Sequence, residues 1–271
     1  MTLILDPIEA GESADTAAVR PISVDDVRAS LRAGIQDFMT MPTHVVFLVL
    51  IYPIIGVLIA RVTMDGDLLP LAYPLAAGFA LLGPFAALGM YELSRRREHR
   101  LVPTWRHAFD ALRSPAWPAI ATVGCVQLIL FLAWVGTASM LFASLAGGLH
   151  PQSITDLLAF ALKTPAGWAL VVLGNGLGFL FAAVSFTIGV VSLPLLLDRG
   201  GTAAAAVRTS VRAVRASPGP MTLWGLIVAV ALFFGSLPAF LGLTVVLPIL
   251  GHATWHLYRK AVVPAGPGLR G

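Results

Sequence analysis

The chain has 271 residues, of which 57% are hydrophobic and only 12% are charged. A water-soluble domain carries about 25% charged residues, which excludes a large aqueous domain. The formal net charge of +4 would suit a nucleic-acid binder, but the basic residues sit in short loops beside apolar runs. There they act as topology signals and anionic-lipid contacts, and no nucleic-acid partner is expected.

Residues 1–21 hold neither a basic leader nor an early apolar stretch, so they read as a disordered cytoplasmic tail rather than a cleaved signal peptide. Ser23 and Asp26 form a capping-box pattern, and Val27, Leu31, Ile35 and Phe38 follow as the apolar stripe of an amphipathic helix. The first apolar run covers 45–60 and continues to Val62, with Arg61 as its one charge. Others cover 68–91, 116–145, 167–197 and 221–258. A hydrocarbon core of about 30 Å needs roughly 20 apolar helical residues, so each run is long enough to span. The last is too long for one crossing and is cut at Gly235-Ser236-Leu237-Pro238, a turn-forming cluster. The expected fold is all-α: a polytopic bundle of about six transmembrane helices over 22–260, with a flexible cytoplasmic C-terminus at 261–271.

Basic residues orient the spans. Arg20, Arg28 and Arg32 precede the first, and Arg95, Arg96, Arg97, Arg100, Arg106 and Arg113 separate the second from the third. Arg199, Arg208, Arg212 and Arg215 separate the fourth from the fifth, and Arg259 and Lys260 follow the sixth. The opposite loops offer Arg61 beside Asp65 and Asp67, Lys163 beside Asp156, and no basic residue at the hairpin. By the positive-inside rule both termini are expected in the cytoplasm. Arginine far outnumbers lysine in an Ala- and Gly-rich chain, the usage of a GC-rich bacterium, so the membrane is expected to be the bacterial inner membrane.

The basic loops also carry helical stripes. Trp105, Ala108, Phe109 and Leu112 form one between spans two and three, and Val207, Val211 and Val214 form another between spans four and five. Such helices are expected in the interface or packed on the bundle ends. They belong to a repeat: a span ending in Glu92 or Asp198, arginine, an amphipathic segment, then Ser114-Pro115 or Ser217-Pro218 before the next span. Looser echoes stand at Met41-Pro42 and Thr164-Pro165. Proline suits the first helical turn, where its missing donor costs nothing.

Met41-Pro42-Thr43-His44, Gly83-Pro84-Phe85, Tyr91-Glu92-Leu93-Ser94-Arg95-Arg96, Leu193-Pro194-Leu195-Leu196-Leu197-Asp198-Arg199 and Gly251-His252-Ala253-Thr254-Trp255-His256 follow one another within 22–260. In this order and wording they resemble a bacterial family of integral membrane proteins of unknown function (domain of unknown function 2189). The resemblance implies a membrane class and no activity.

Candidate sites follow from chemistry. His252 and His256 are four apart on one helical face, and with His44 at the same membrane depth they would suit a metal or haem iron. An interfacial anchor belt with Trp255 and Tyr258 is the simpler reading, so neither metal nor cofactor is expected. Gly174, Gly178 and Ala182 recur every four residues, a stripe that lets membrane helices pack closely. Gly178→Leu is therefore expected to be harmful and Gly148→Leu, in a loop, to be tolerated. Gln127 and Asn175 are polar side chains within spans, read as interhelical glue rather than a substrate path. Glu92 with Arg95 and Arg96, and Asp198 with Arg199, are read as local ion pairs at the cytoplasmic ends of spans. Cys125 is the single cysteine, so no intrachain disulfide forms. Without a catalytic constellation, the expectation is a non-catalytic scaffold, assembly or envelope-regulating factor, bound to the bilayer and to a membrane-protein partner or a second copy. One alternative is a transporter or channel for a small, weakly polar solute, favoured by the repeat and by Pro53, Pro74, Pro84 and Pro194; a second is a metal- or haem-handling membrane protein using His44, His252 and His256.

Overall fold

The computed structural model describes residues 17–41, 56–57, 61, 69–151, 153–238 and 241–264. The expected first span and His44 therefore lie outside the described residues, apart from three isolated positions. Helix α1 covers Val24–Thr40 and α2 the helical run Leu69–Glu98. A 3-10 helix, Trp105–Arg113, precedes α3, Trp117–Ala146. Then come α4, Ile154–Lys163, and α5, Pro165–Arg199. Helices α6, Ala203–Ala216, α7, Pro218–Ser236, and α8, Leu243–Ala261, complete the set. Among the described residues the one extended pairing is an antiparallel bridge between Val19 and Val262.

Local chemistry accounts for the helix ends. Ser23 and Asp26 form the full capping box of α1, each side chain bonded to the other's backbone N–H. Ser153, Thr164 and Thr202 cap α4, α5 and α6 through their hydroxyls. Pro165 and Pro218 occupy the first position of α5 and α7.

Among the described residues four helices, α2, α3, α5 and α7, are long and apolar enough to cross a membrane. Helix α8 is not among them, because its C-terminal half carries His252, His256, Arg259 and Lys260 and is packed inside the protein. The buried core gathers at one end, where residues 88–91 of α2, 190–197 of α5 and 250–261 of α8 meet α1 and α6. Away from it, α3, α5 and α7 expose large apolar side chains such as Ile129, Met140, Phe179 and Phe233, the surface a helix presents to lipid.

The amphipathic elements dock on this core, and their buried faces differ from the bulky stripes read in the sequence. In α1 the buried residues are Val27, Ser30, Gly34 and Asp37, while Ile35 is exposed. In α6 they are Ala205, Ala206, Thr209, Ser210 and Ala213, with the valines half-buried at the edges. Small residues win these faces because the helices approach closely: a Cβ added to Gly34 would lie 2.6 Å from the backbone nitrogen of Ala253. On α6, Ser210 Oγ donates to Thr187 O at 2.7 Å and accepts from Val191 N at 3.2 Å, joining α6 to α5. The packing follows a rule. The 3-10 helix lies on α2 and α6 on α5, each on the span just before it, and α1 lies on the final helix, α8. The repeat thus closes head to tail.

Helix α2 is interrupted. Its α-helical pieces Ala72–Phe79 and Gly83–Ala86 flank a 3-10 turn, Ala80–Leu82, at Gly83-Pro84, where proline removes a backbone donor. Side chains of neighbouring helices bond carbonyls along this part of α2. Ser185 Oγ donates to Leu81 O at 3.0 Å, and Trp134 Nε1 donates to Pro74 O at 2.8 Å.

Candidate functional site

The most concentrated buried polar chemistry lies where α1, α2 and α8 meet, and its centre is a residue that the sequence reading passed over. Asp37 is only 4% exposed. Its Oδ2 accepts from Ser94 Oγ of α2 at 2.6 Å and from His256 Nε2 of α8 at 3.0 Å, and its Oδ1 accepts from the Arg97 guanidinium. Behind Ser94, fully buried His252 places Nδ1 2.7 Å from the hydroxyl oxygen. Burial alone would raise the Asp37 carboxyl, but hydrogen bonds from His256 and Ser94 outweigh it and hold the group below its ordinary value.

This network assigns the protons. An ionised Asp37 only accepts, so the single Ser94 proton points to it. His252 Nδ1 must then donate to Ser94 Oγ, which leaves Nε2 of a neutral His252 as a buried acceptor, and that atom has no hydrogen-bond partner. The direction is opposite to that of an activated nucleophile, where histidine takes the serine proton. The cluster forms one wall of a cleft of about 340 Å³, completed by Gln36, Glu98 and Arg259. Glu98 is itself held by Trp255 Nε1 at 3.1 Å and Arg259 Nε at 2.9 Å.

The histidines expected as metal candidates, His252 and His256, thus converge on a carboxylate that already carries an arginine. Among the described residues no three His, Cys, Asp or Glu side chains are grouped to hold a metal ion; His44 lies outside them. Glu92, almost fully buried, sits 2.8 Å from both Arg95 and Arg96, and Arg96 reaches on to Asp110 of the 3-10 helix at 2.9 Å. Asp198 lies 3.7 Å from Arg199, but its shorter contacts come from α8: Tyr258 OH at 2.5 Å and Arg259 Nη1 at 3.2 Å. The ion pairs therefore join helices as well as neighbours in sequence.

The intramembrane amides have separate partners. Gln127 Nε2 donates to Ser185 O at 3.1 Å, linking α3 to α5. Asn175 Oδ1 accepts from Tyr73 OH at 2.7 Å, linking α5 to α2. On the small-residue stripe, a Cβ at Gly178 would lie 3.0 Å from the Trp134 ring and one at Gly174 would lie 3.8 Å from Leu141, whereas Ala182 is exposed. The tighter crossing lies further along α5, at Gly189, where a Cβ would meet Gln127 Nε2 at 2.6 Å and Pro84 Cβ at 2.9 Å. Gly148 is unsuited as a tolerant control, because its φ of +84° strains any L side chain. Gly176, helical with open space around it, is the proper comparison. Gly178→Leu is expected to cost about 1–3 kcal/mol of stability through overpacking and Gly176→Leu much less, as thermal unfolding in detergent would measure. Equal stability of the two would place Gly178 on a lipid face.

No curated protein and no solved structure matches the chain. A family model matches residues 72–198, a narrower stretch than the 22–260 of the resemblance. It takes in Ser94 and Arg97 but neither Asp37 nor the two histidines. Over residues 72–198 the chain carries the signature of the DUF2189 family, described as a predicted integral membrane protein.

Proposed function

We propose that the chain is a non-catalytic, multi-pass protein of the bacterial inner membrane, a scaffold or assembly factor with about six spans and both termini in the cytoplasm. The observation that carries this reading is the charge web at one end. Asp26 pairs with Lys260, Asp37 with Arg97, Glu92 with Arg95 and Arg96, and Asp198 and Glu98 with Arg259. All but the Glu92 pairs, which lie within α2, tie α1, α2, α5 and α8 into one plate on the arginine-rich side. A fixed plate suits a platform for other membrane components better than a moving gate, and its arginines suit the cytoplasmic side.

Two measurements test the proposal. Reporter fusions at residue 152 and Ser236 should show periplasmic activity, and C-terminal fusions cytoplasmic activity; the reverse pattern overturns the orientation. Proteoliposomes should show no more flux of small neutral solutes than empty vesicles, and flux above that background overturns the scaffold reading. The specific observation favouring a transporter is the interruption of α2 at Ala80–Leu82, since broken helices line many transport sites.

A further inference from the structure

We infer that the outer face of the 3-10 helix, with the turn before it, is a docking surface for the anionic leaflet on the arginine-rich side of the membrane. The inference deepens the proposed membrane placement and rests on α2 and α3 being spans. A 3-10 helix advances three residues per turn, so residues three apart share a face. Ala108 and Ala111 are buried against the bundle, with Ala108 packed on Gly89, where an added Cβ would lie 3.0 Å away. Phe109 and Leu112, one position on, stack on a second face and are 40% and 51% exposed. An α-helical period would have drawn Phe109 and Leu112 onto the face of Ala108. The shorter period turns them outward.

The turn before this helix is exposed as well. Arg100 closes α2 with a left-handed φ of +58°, at a position where glycine is usual. Its N–H bonds Arg97 O at 2.9 Å and that of Leu101 bonds Arg96 O at 3.0 Å, so the turn is fixed. It presents Leu101 and Val102, the latter 85% exposed. Arg100 precedes the apolar residues and Arg113 follows them, the Arg113 side chain 83% exposed and 3.5 Å from Asp110 of the same helix. Apolar side chains with an arginine at either end of the segment, beside the start of a span, match acyl chains beneath anionic headgroups. The equivalent helix in the other repeat copy, α6, keeps Val207 and Val214 packed against the core, so the repeat copies have diverged here.

The test uses a Cys125→Ser background with one cysteine, at Leu112 or at exposed Arg208 of α6, carrying an environment-sensitive fluorophore in nanodiscs. In phosphatidylglycerol discs the Leu112→Cys probe should be quenched by doxyl-labelled lipid several-fold more than the Arg208→Cys probe. Arg100→Ser/Arg113→Ser should remove most of that difference, and pure phosphatidylcholine discs should weaken it. Equal quenching of both probes by aqueous iodide would overturn the inference. So would a Leu112 probe shielded from both quenchers, which would mean a protein covers the face. Lipid contact in a nanodisc is independent of which side is cytoplasmic, so failure here and failure of the topology are separate results.

Discussion

Asp37→Ala is expected to destabilise the protein by about 3 kcal/mol, the cost of removing one partner from a buried charged pair. The substitution leaves Arg97 and His256 without their shared carboxylate and Ser94 without its acceptor. The lower end of the range for such losses applies, because the Arg97 and His256 side chains are partly reached by water. Melting of the purified protein should fall by roughly 5–10 °C, whereas Ser94→Ala, which removes one hydroxyl, should cost about 1 kcal/mol. The sign with pH follows from the depressed Asp37 carboxyl. Its contribution is complete above the unfolded carboxylate value of about 3.9 and fades as the pH falls through the lower folded value. Wild type should thus lose stability on strong acidification more steeply than Asp37→Asn, which has nothing to titrate there. Parallel pH curves, or an Asp37→Ala variant as stable as wild type, would show that the cluster does not hold α1 in place.

The contrast between what the chain discloses and what it conceals has a physical basis. Spans α2, α3, α5 and α7 are legible because each contains a long apolar run, and the Ser23 capping box because it is local. His252 and His256 are legible as a pair for the same reason, being one helical turn apart. Asp37 is not, because an acid on an amphipathic helix reads as solvated until its facing helix is known. A signal was present in Ser30, Gly34 and Asp37, small or polar residues sharing the face of Val27, which mark a helix meant to approach another backbone. The same pattern, Ala206, Ser210 and Ala213, marks α6. Reading bulky residues alone finds the edges of both buried faces, Val27 and Leu31 in α1 and Val207 and Val214 in α6, and misses their centres. Likewise, nothing in the spacing of Trp105–Arg113 distinguishes a 3-10 period from an α-helical one, and that choice decides whether Phe109 points in or out.

Gly34→Leu should separate α1 from α8 and is the sharpest test of how α1 is placed. A Cβ at residue 34 would stand 2.6 Å from both Cβ and N of Ala253 and 2.8 Å from its Cα. Backbone atoms cannot swing aside, so the helices must move apart. Overpacking of this kind costs about 1–3 kcal/mol, and lifting α1 also withdraws Asp37, three residues on, from Ser94 and His256. The two losses therefore overlap. Gly34→Leu combined with Asp37→Ala should cost clearly less than the sum of the single changes, because the first already breaks what the second removes. Ile35→Leu, on the exposed side of α1, should be nearly neutral. Were α1 lying flat in the interface, away from α8, a leucine at 34 would add apolar surface for lipid and Gly34→Leu would leave the melting temperature unchanged or raised. Strict additivity of the two changes would argue as firmly that Asp37 is held independently of the α1–α8 contact.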